Sequence, residues 1–390
     1  MISTDEALEH LLALVAPMPL EMVALQDGLG RVLAEPAVAT RAQPPFPASA
    51  MDGYAIPDAK PKSGACYTVI GEAAAGHAYP GVLKAGQAVR IFTGAPVPQD
   101  AKSVVIQEDV TRSGDEITLG DKLDRADYIR PAGGDFNIGA TLEAPRRLRA
   151  ADLAMMASMN LAEVPVRRKP VIALIATGDE LVMPGEMPRD DQIIASNTFG
   201  LKAMFETRGA EVRMLPIAKD TVSSLATVLG MAEGCDLAIT IGGASVGDHD
   251  LVAQVAGELG MERSFYKVAM RPGKPLMAGH LQGAAMVGLP GNPVSSMVCG
   301  EIFVTPMIDK MLGLPAGARP RDTAVLSAPL GQNGPREHYM RARLGPEGVA
   351  AFERQDSSLL SVLADANALI VRPPHDGPRA AGAEVDVIHI

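Results

Sequence analysis

Cysteine is scarce in this chain of 390 residues: Cys66, Cys235 and Cys299 are the only three. An odd count without Cys-x-x-Cys spacing argues against a disulfide framework. All three are expected as small buried apolar residues. The seven histidines show no zinc spacing, and no Ser-His-Asp order calls for a protein nucleophile. No uninterrupted apolar run approaches ~18 residues, so no membrane-spanning helix is expected. The opening Met1-Ile2-Ser3-Thr4-Asp5-Glu6 is acidic and leads into no signal-like apolar stretch, which makes the cytosol the default compartment. Excess positive charge is missing as well. A formal net charge of −11 disfavours broad nucleic-acid binding but allows a small anion in a locally basic pocket.

What is present reads as a folded, multidomain chain. Apolar residues make up 47% and charged residues 21%, so disorder over most of the length is not expected. Ser3 and Glu6 fit a capping box, and Leu8, Leu11, Leu12 and Val15 recur at helical spacing behind them. Pro17 and Pro19 close that helix. Residues 41–140 carry short β-type runs between Gly and Pro turns, among them Tyr67–Ile70, Ala88–Phe92, Ser103–Gln107 and Glu116–Leu119. Ala150–Asn160 is helical in pattern, and Arg167-Arg168-Lys169-Pro170 reads as a linker.

From Val171 the pattern alternates between strand and helix. Val171–Ala176 is a near-continuous apolar run, as for a central parallel strand. Asn197–Thr207 follows as a helix, with Ser196 placed to cap it and Gly209 to end it. Strands at Glu211–Ile217, Asp236–Ile241, Phe265–Ala269 and Ala284–Gly288 are interleaved with helices at Thr221–Ala232 and, at the end, Val294 to about Lys310. The order βαβαβαββα predicts an open parallel α/β domain. Short strands return after Pro320, at Thr323–Leu326, His338–Leu344, Ala368–Val371 and Glu384–Ile390, and predict a small β-barrel or sandwich. The fold class is multidomain α/β plus β.

Four local signals carry chemistry. Gly242-Gly243-Ala244-Ser245-Val246-Gly247-Asp248-His249-Asp250 joins a strand to a helix, where glycines and unpaired N–H groups suit an anion. It is neither a Walker A loop nor Gly-x-Gly-x-x-Gly. A tight β–α turn with Asp250 as an ordinary cap explains it equally well. Lys267, Arg271 and Lys274 place three cations within eight residues of a Pro/Gly-stiffened loop, suited to phosphate or an oxyanion; a solvated loop is the plain alternative. Leu289-Pro290-Gly291-Asn292-Pro293 leads into a helix that Ser295 or Ser296 can cap, or from which either can touch an anion. Asp179, Glu180 and Asp220 fall at the same sheet edge, where carboxylates facing phosphate loops hold Mg²⁺; Asp220 equally suits a helix cap.

Taken in order, Met51-Asp52-Gly53-Tyr54-Ala55, Phe92-Thr93-Gly94-Ala95-Pro96, Thr177-Gly178-Asp179-Glu180, the Gly242 loop, Arg271-Pro272-Gly273-Lys274-Pro275 and Pro290-Gly291-Asn292-Pro293 resemble the MoeA family of molybdopterin molybdenumtransferases, relatives of the gephyrin E domain. The resemblance spans nearly the whole chain. It implies an elongated N-terminal region (1–45 and 140–168), a β subdomain (46–139), a MogA-like open α/β molybdopterin-binding domain (169–315) and a C-terminal β-barrel (316–390). It further implies a homodimer whose cleft is shared between subunits. The activity implied is insertion of molybdate into adenylated molybdopterin with Mg²⁺-dependent release of AMP. An adenylyltransferase of MogA type and a gephyrin-like scaffold are the competing readings, and a transient contact with a MogA-type enzyme is a further expectation.

Matching positions give Asp52, Thr93, Asp135, Glu180, Asp220 and Asp250 as catalytic. Glu180, Asp220 and Asp250 are the Mg²⁺ candidates. Gly242, Gly243, Ser245, Gly247, Lys267, Arg271, Lys274, Pro290, Pro293 and Ser295 fall at substrate-binding positions. Gly134 stands where relatives often have Glu, and Arg271 where many have Lys, which keeps charge but changes hydrogen-bond geometry.

Overall fold

A computed structural model describes residues 1–243 and 251–390. Ala244–Asp250, and with them Ser245, Gly247 and Asp250, lie outside the described residues. The chain divides into two compact units, one of Met1–Glu21, Gly30–Ala34 and Val166–Ile390, the other of Met22–Leu29 and Glu35–Pro165.

The larger unit is built on a six-stranded sheet. Its order is Glu211–Met214, Val171–Ala176, Leu237–Ile241, Ala284–Leu289, Pro275–Leu281 and Glu262–Lys267. The first four strands are parallel, and Pro275–Leu281 runs antiparallel to both of its neighbours, so the sheet is mixed rather than purely parallel. Pro275–Leu281 is a strand that the sequence pattern did not separate from the basic loop before it.

Strand alternation divides the core into two layers. Ile172 and Leu174 pack on one face with Leu201 and Phe205 of helix Asn197–Thr207 and with Leu8 and Leu11 of helix Thr4–Ala13. Ala173 and Ile175 face the other layer, with Leu225 and Val228 of Val222–Gly230 and Val252 and Val255 of Leu251–Glu258. Covering both faces explains why Val171–Ala176 is buried at every position.

The N-terminal capping box is present, with Ser3 Oγ accepting from Glu6 N–H and Glu6 accepting from Ser3 N–H. Other expected caps fall elsewhere. Ser196 makes no capping bond. Thr221, not Asp220, caps Val222–Gly230 by accepting from Ser224 N–H at 3.3 Å. Asn292 precedes Pro293–Cys299, and Ser296 Oγ instead donates to Pro293 O at 2.9 Å. The expected last helix contains a π-turn, Gly300–Val304, between Pro293–Cys299 and Thr305–Met311. The presumed linker is also fixed: Arg168 makes a double bond-pair to Asp236 at 2.6 and 2.9 Å, and Arg167 donates to Met18 O.

The C-terminal sheet of this unit closes on itself. Glu337–Gly345 pairs Ala368–Arg372, which pairs Glu384–His389, which pairs Asp322–Val325. Leu326 then bridges Val349, whose strand Gly348–Ala351 returns to Glu337–Gly345. Leu326, Val349, Ile370, Val385 and Val387 fill the interior of this small barrel.

The second unit carries another six-stranded sheet, ordered Ser103–Ile106, Gly53–Ile56, Gln87–Ile91, Cys66–Ala73, Glu116–Leu119 and Val110–Ser113. Tyr54, Ile56, Tyr67, Val105 and Ile117 form one layer of its core, and Ala55, Val89, Ile91 and Val104 the other. Alternation also corrects the cysteine expectation. Tyr67 points inward, so its neighbour Cys66 is exposed, whereas Cys235 and Cys299 are buried.

Gly53 sits where this sheet allows no side chain: a Cβ would lie 2.0 Å from Val105 O. Gly53→Ala is therefore expected to destabilise this unit by about 3 kcal/mol. A thermal melt indistinguishable from wild type would refute that close approach.

Candidate functional site

Parallel register brings the chemistry together. Ala176, Ile241 and Leu289 are aligned across neighbouring strands, so the residues after them, Thr177, Gly242 and Pro290, emerge in one row at the C-terminal sheet edge. A cavity of about 640 Å³ opens there, lined among others by Glu180, Asp220, Gly242, Gly243, Pro290 and Pro293. Six of the expected residues thus meet at a place where α/β sheets bind ligands.

The turn at Gly242–Gly243 is possible only with glycine. Both have positive φ, +96° and +65°. A Cβ on Gly242 would stand 2.7 Å from Thr177 O, and one on Gly243 would stand 2.3 Å from Val252 Cγ2. The backbone can therefore pass close under whatever occupies the cavity. Thr177 Oγ1, buried beneath this turn, has no hydrogen-bond partner among the described residues.

Because Thr221 supplies the helix cap, Asp220 is not occupied in that role, and it shares the cavity lining with exposed Glu180. Asp220 N–H donates to Asp179 Oδ1 at 3.3 Å, which ties the two acidic turns together. No group of three or more His, Cys, Asp or Glu able to hold a metal occurs among the described residues. Two carboxylates on the wall of one cavity are a donor set that fits Mg²⁺, which keeps most of its waters and takes few protein ligands.

Two residues that motif reading missed complete the wall. Ser358 lines the cavity, and its neighbour Ser357 accepts from Asn292 Nδ2 at 3.0 Å through Oγ and from Val294 N–H at 3.0 Å through its carbonyl. Behind them Arg341, fully buried, donates to Gln355 Oε1 at 3.1 and 3.2 Å and to Asp356 O at 2.7 Å. The run Gln355-Asp356-Ser357-Ser358, four polar residues ahead of an apolar stretch, was the available signal.

The basic segment is distributed differently. Pro275 lines the cavity, whereas Lys267 stands 5.2 Å over the Tyr266 ring. Arg271 is exposed and belongs to Met270–Arg271, which pairs with Glu337–His338 of the barrel. Ser295 is buried on the first turn of Pro293–Cys299. In the second unit Asp52 Oδ1 accepts from Thr93 N–H at 2.8 Å and Thr93 Oγ1 at 2.7 Å. Those two bonds, the backbone one foremost, hold the Asp52 carboxyl below the usual range, helped by Arg90. Asp135 is exposed beside the Gln43–Phe136 bridge of the same unit.

Similarity to known proteins agrees with this arrangement. Residues 2–160 match the MoeA N-terminal region (domain I and II), 173–310 the probable molybdopterin binding domain and 323–390 the MoeA C-terminal region (domain IV). Molybdopterin molybdenumtransferase 2 of Mycobacterium tuberculosis H37Rv is 35% identical over 381 residues, covering 94% of each chain. Molybdopterin molybdenumtransferase of Haemophilus influenzae is 32% identical over 397 residues, 99% of this chain and 98% of that one. The crystal structure of the molybdopterin biosynthesis MoeA protein from Pyrococcus horikoshii superposes with a TM-score of 0.86 at 28% identity, covering 100% of this chain and 99% of that one. The class is a transferase of molybdenum cofactor biosynthesis. The chain belongs to the MoeA, or molybdopterin molybdenumtransferase, family.

One group near the basic segment titrates abnormally. Burial, then the positive charges of Arg271, Arg341, Arg372 and Arg336, push His338 down to about 4. An unfolded histidine titrates near 6.5, so folding favours the neutral ring. Its contribution is whole above about pH 6.5 and is lost as the pH falls towards about 4. Urea unfolding between pH 7 and 4 is expected to show this decline, and His338→Gln to flatten it. An unchanged slope in the variant would assign the decline to other groups.

Proposed function

We propose that the chain inserts molybdate into adenylated molybdopterin with Mg²⁺-dependent release of AMP. The observation carrying this reading is the convergence of Glu180, Asp220, the Gly242–Gly243 turn, Pro290 and Pro293 on one cavity at the sheet edge. The glycine turn suits close passage of backbone N–H groups under a phosphate. Glu180 and Asp220 would hold Mg²⁺, which when bound neutralises charge on the phosphoanhydride. The prolines and Asn292 fix the wall against which the pterin is held, and orientation of this kind supplies much of the rate for a step needing no protein nucleophile. Lys267, Arg271 and Lys274 supply charge for the molybdate anion.

The homodimer implied by the family belongs to this reading, with the partner subunit's Asp52 serving the cavity. So do a cytosolic location and a transient contact with a MogA-type adenylyltransferase that supplies the adenylated substrate. No helix among the described residues is long and apolar enough to cross a membrane.

Purified protein with adenylated molybdopterin, Mg²⁺ and molybdate is expected to release AMP only when molybdate is present. Consumption of ATP with release of pyrophosphate would instead mark an adenylyltransferase. A receptor-loop peptide bound without any turnover would favour a scaffold. Lys274→Ala should raise the molybdate needed for half-maximal turnover about tenfold or more, as expected for loss of one charge-assisted contact, with no change in melting. Full turnover at limiting molybdate would remove Lys274 from the anion site.

Subunit sharing has its own test. Asp52→Asn and Asp220→Asn homodimers should each be nearly inactive. Their random reassortment should restore about a quarter of wild-type activity, since half of the dimers then carry one intact site. No recovery on mixing would confine each site to one chain.

A further inference from the structure

The segment carrying Lys267, Arg271 and Lys274 is held from both sides by distant parts of the sequence. On one side Ile2 lies parallel to Val268: Ile2 N–H donates to Lys267 O at 3.1 Å, and Ala269 N–H donates to Ile2 O at 2.7 Å. On the other side Met270–Arg271 pairs with Glu337–His338, and Glu337 N–H donates to Ala269 O at 3.0 Å. Across the loop, Val268 N–H donates to Lys274 O at 3.0 Å. The backbone under Lys274 is thus set by Val268, and Val268 by Ile2.

The two flanking segments are joined to each other by one carboxylate. Glu337, only 8% exposed, accepts from the Thr4 hydroxyl, from Tyr339 OH at 3.1 Å and from Arg321 Nη2 at 2.9 Å. Thr4 is the first residue of helix Thr4–Ala13, directly after Ile2 and the Ser3 cap. A buried carboxylate is costly unless its oxygens are satisfied, and such groups are weak devices for stability alone. This one closes a ring: Ile2, Val268–Ala269, Glu337, Thr4 and back to Ile2.

We propose that Thr4 and Glu337 are positioning residues for anion binding. Their bond holds Ile2 and Glu337 at fixed separation, and the strand pinned between them presents Arg271 and Lys274 in a constant register. This rests on the reading that the basic segment binds molybdate. Nothing in it requires Thr4 or Glu337 to touch the substrate.

The test uses the full chain as Thr4→Val, which removes the hydroxyl at nearly constant shape, Thr4→Ser, which restores it, and Glu337→Gln as a second lesion. Amide hydrogen exchange is read at Val268–Arg271 together with turnover against molybdate concentration. Thr4→Val and Glu337→Gln are expected to speed exchange of these amides about tenfold relative to the sheet core, as for a local opening. They should also raise half-saturating molybdate about fivefold with kcat at saturation unchanged, a loss of ground-state binding alone. Thr4→Ser should return both. Unchanged local exchange overturns the clamp. So does exchange that rises uniformly over the molecule, which marks a merely structural bond, and so does faster local exchange without a change in molybdate dependence. If wild-type turnover does not respond to molybdate at all, the functional reading fails, and inorganic phosphate or molybdate binding by calorimetry then decides whether the segment holds an anion.

Discussion

The constraint on which the site depends is the in-register hydrogen bonding of three parallel strands. Once Ala176, Ile241 and Leu289 are paired, the turns after them have no freedom to emerge at different heights. Everything assigned to the cavity follows from that row. The Thr177–Glu180 turn supplies a carboxylate, the Gly242–Gly243 turn supplies close backbone, and the Pro290–Pro293 turn supplies a stiff wall. The adjoining parallel strand Glu211–Met214 leads into the turn that delivers Asp220 to the same edge. A register slip of one residue would exchange the two core layers as well as the turns, because Ile172 and Leu174 face one layer and Ala173 and Ile175 the other. Burial on both faces is therefore also what fixes the site.

A second dependence runs through a buried charge whose hydrogen bonds go to neutral acceptors, with the Asp356 carboxylate acting on it only through space. Arg341 is fully buried yet bonds an amide oxygen and a carbonyl rather than a carboxylate, and burial lowers its affinity for its proton. Desolvating a guanidinium in this way is unfavourable unless its donors are filled. Here Gln355 and the Asp356 carbonyl fill them, and the same bonds set the course of the chain into Ser357 and Ser358. The barrel thus acts on the cavity through backbone position, at some distance from any reacting atom.

Much of the α/β domain was legible because its strands are short apolar runs ended by glycine or proline, and its turns carry unusual residues. Thr177–Glu180, Gly242–Gly243 and Pro290–Pro293 could be placed on one edge from strand order alone. The caps were less legible. Ser196, Asp220 and Ser295 each occupy plausible cap positions, but the choice among neighbouring polar residues is made by tertiary contacts that spacing does not encode. Pro275–Leu281 escaped notice because its proline and the preceding basic loop mask the strand, which pairs antiparallel with partners on both sides. Arg341 was invisible, and Ser358 was marked only by the polar run Gln355–Ser358, for another reason. Their roles depend on packing between the barrel and the Asn292 turn, and neither belongs to a motif defined by local sequence. Cys66 shows the limit of composition: a residue type that is usually buried lies outside because its neighbour Tyr67 takes the inward position.

The closed barrel has a consequence for the order in which the molecule is assembled. Glu384–His389 lies between Ala368–Arg372 and Asp322–Val325, so the ring cannot close until that late strand has been synthesised. Glu337–Gly345, a member of the same ring, is also the partner of Met270–Arg271. The α/β sheet can form on the ribosome well before this, since its strands end at Leu289. A nascent chain therefore passes through a stage in which the sheet edge is formed, Ser358 is not yet in the cavity wall, and the basic segment has Ile2 but not Glu337–Gly345 beside it. The barrel side of the basic segment and the Ser358 side of the cavity wall are thus acquired together and last.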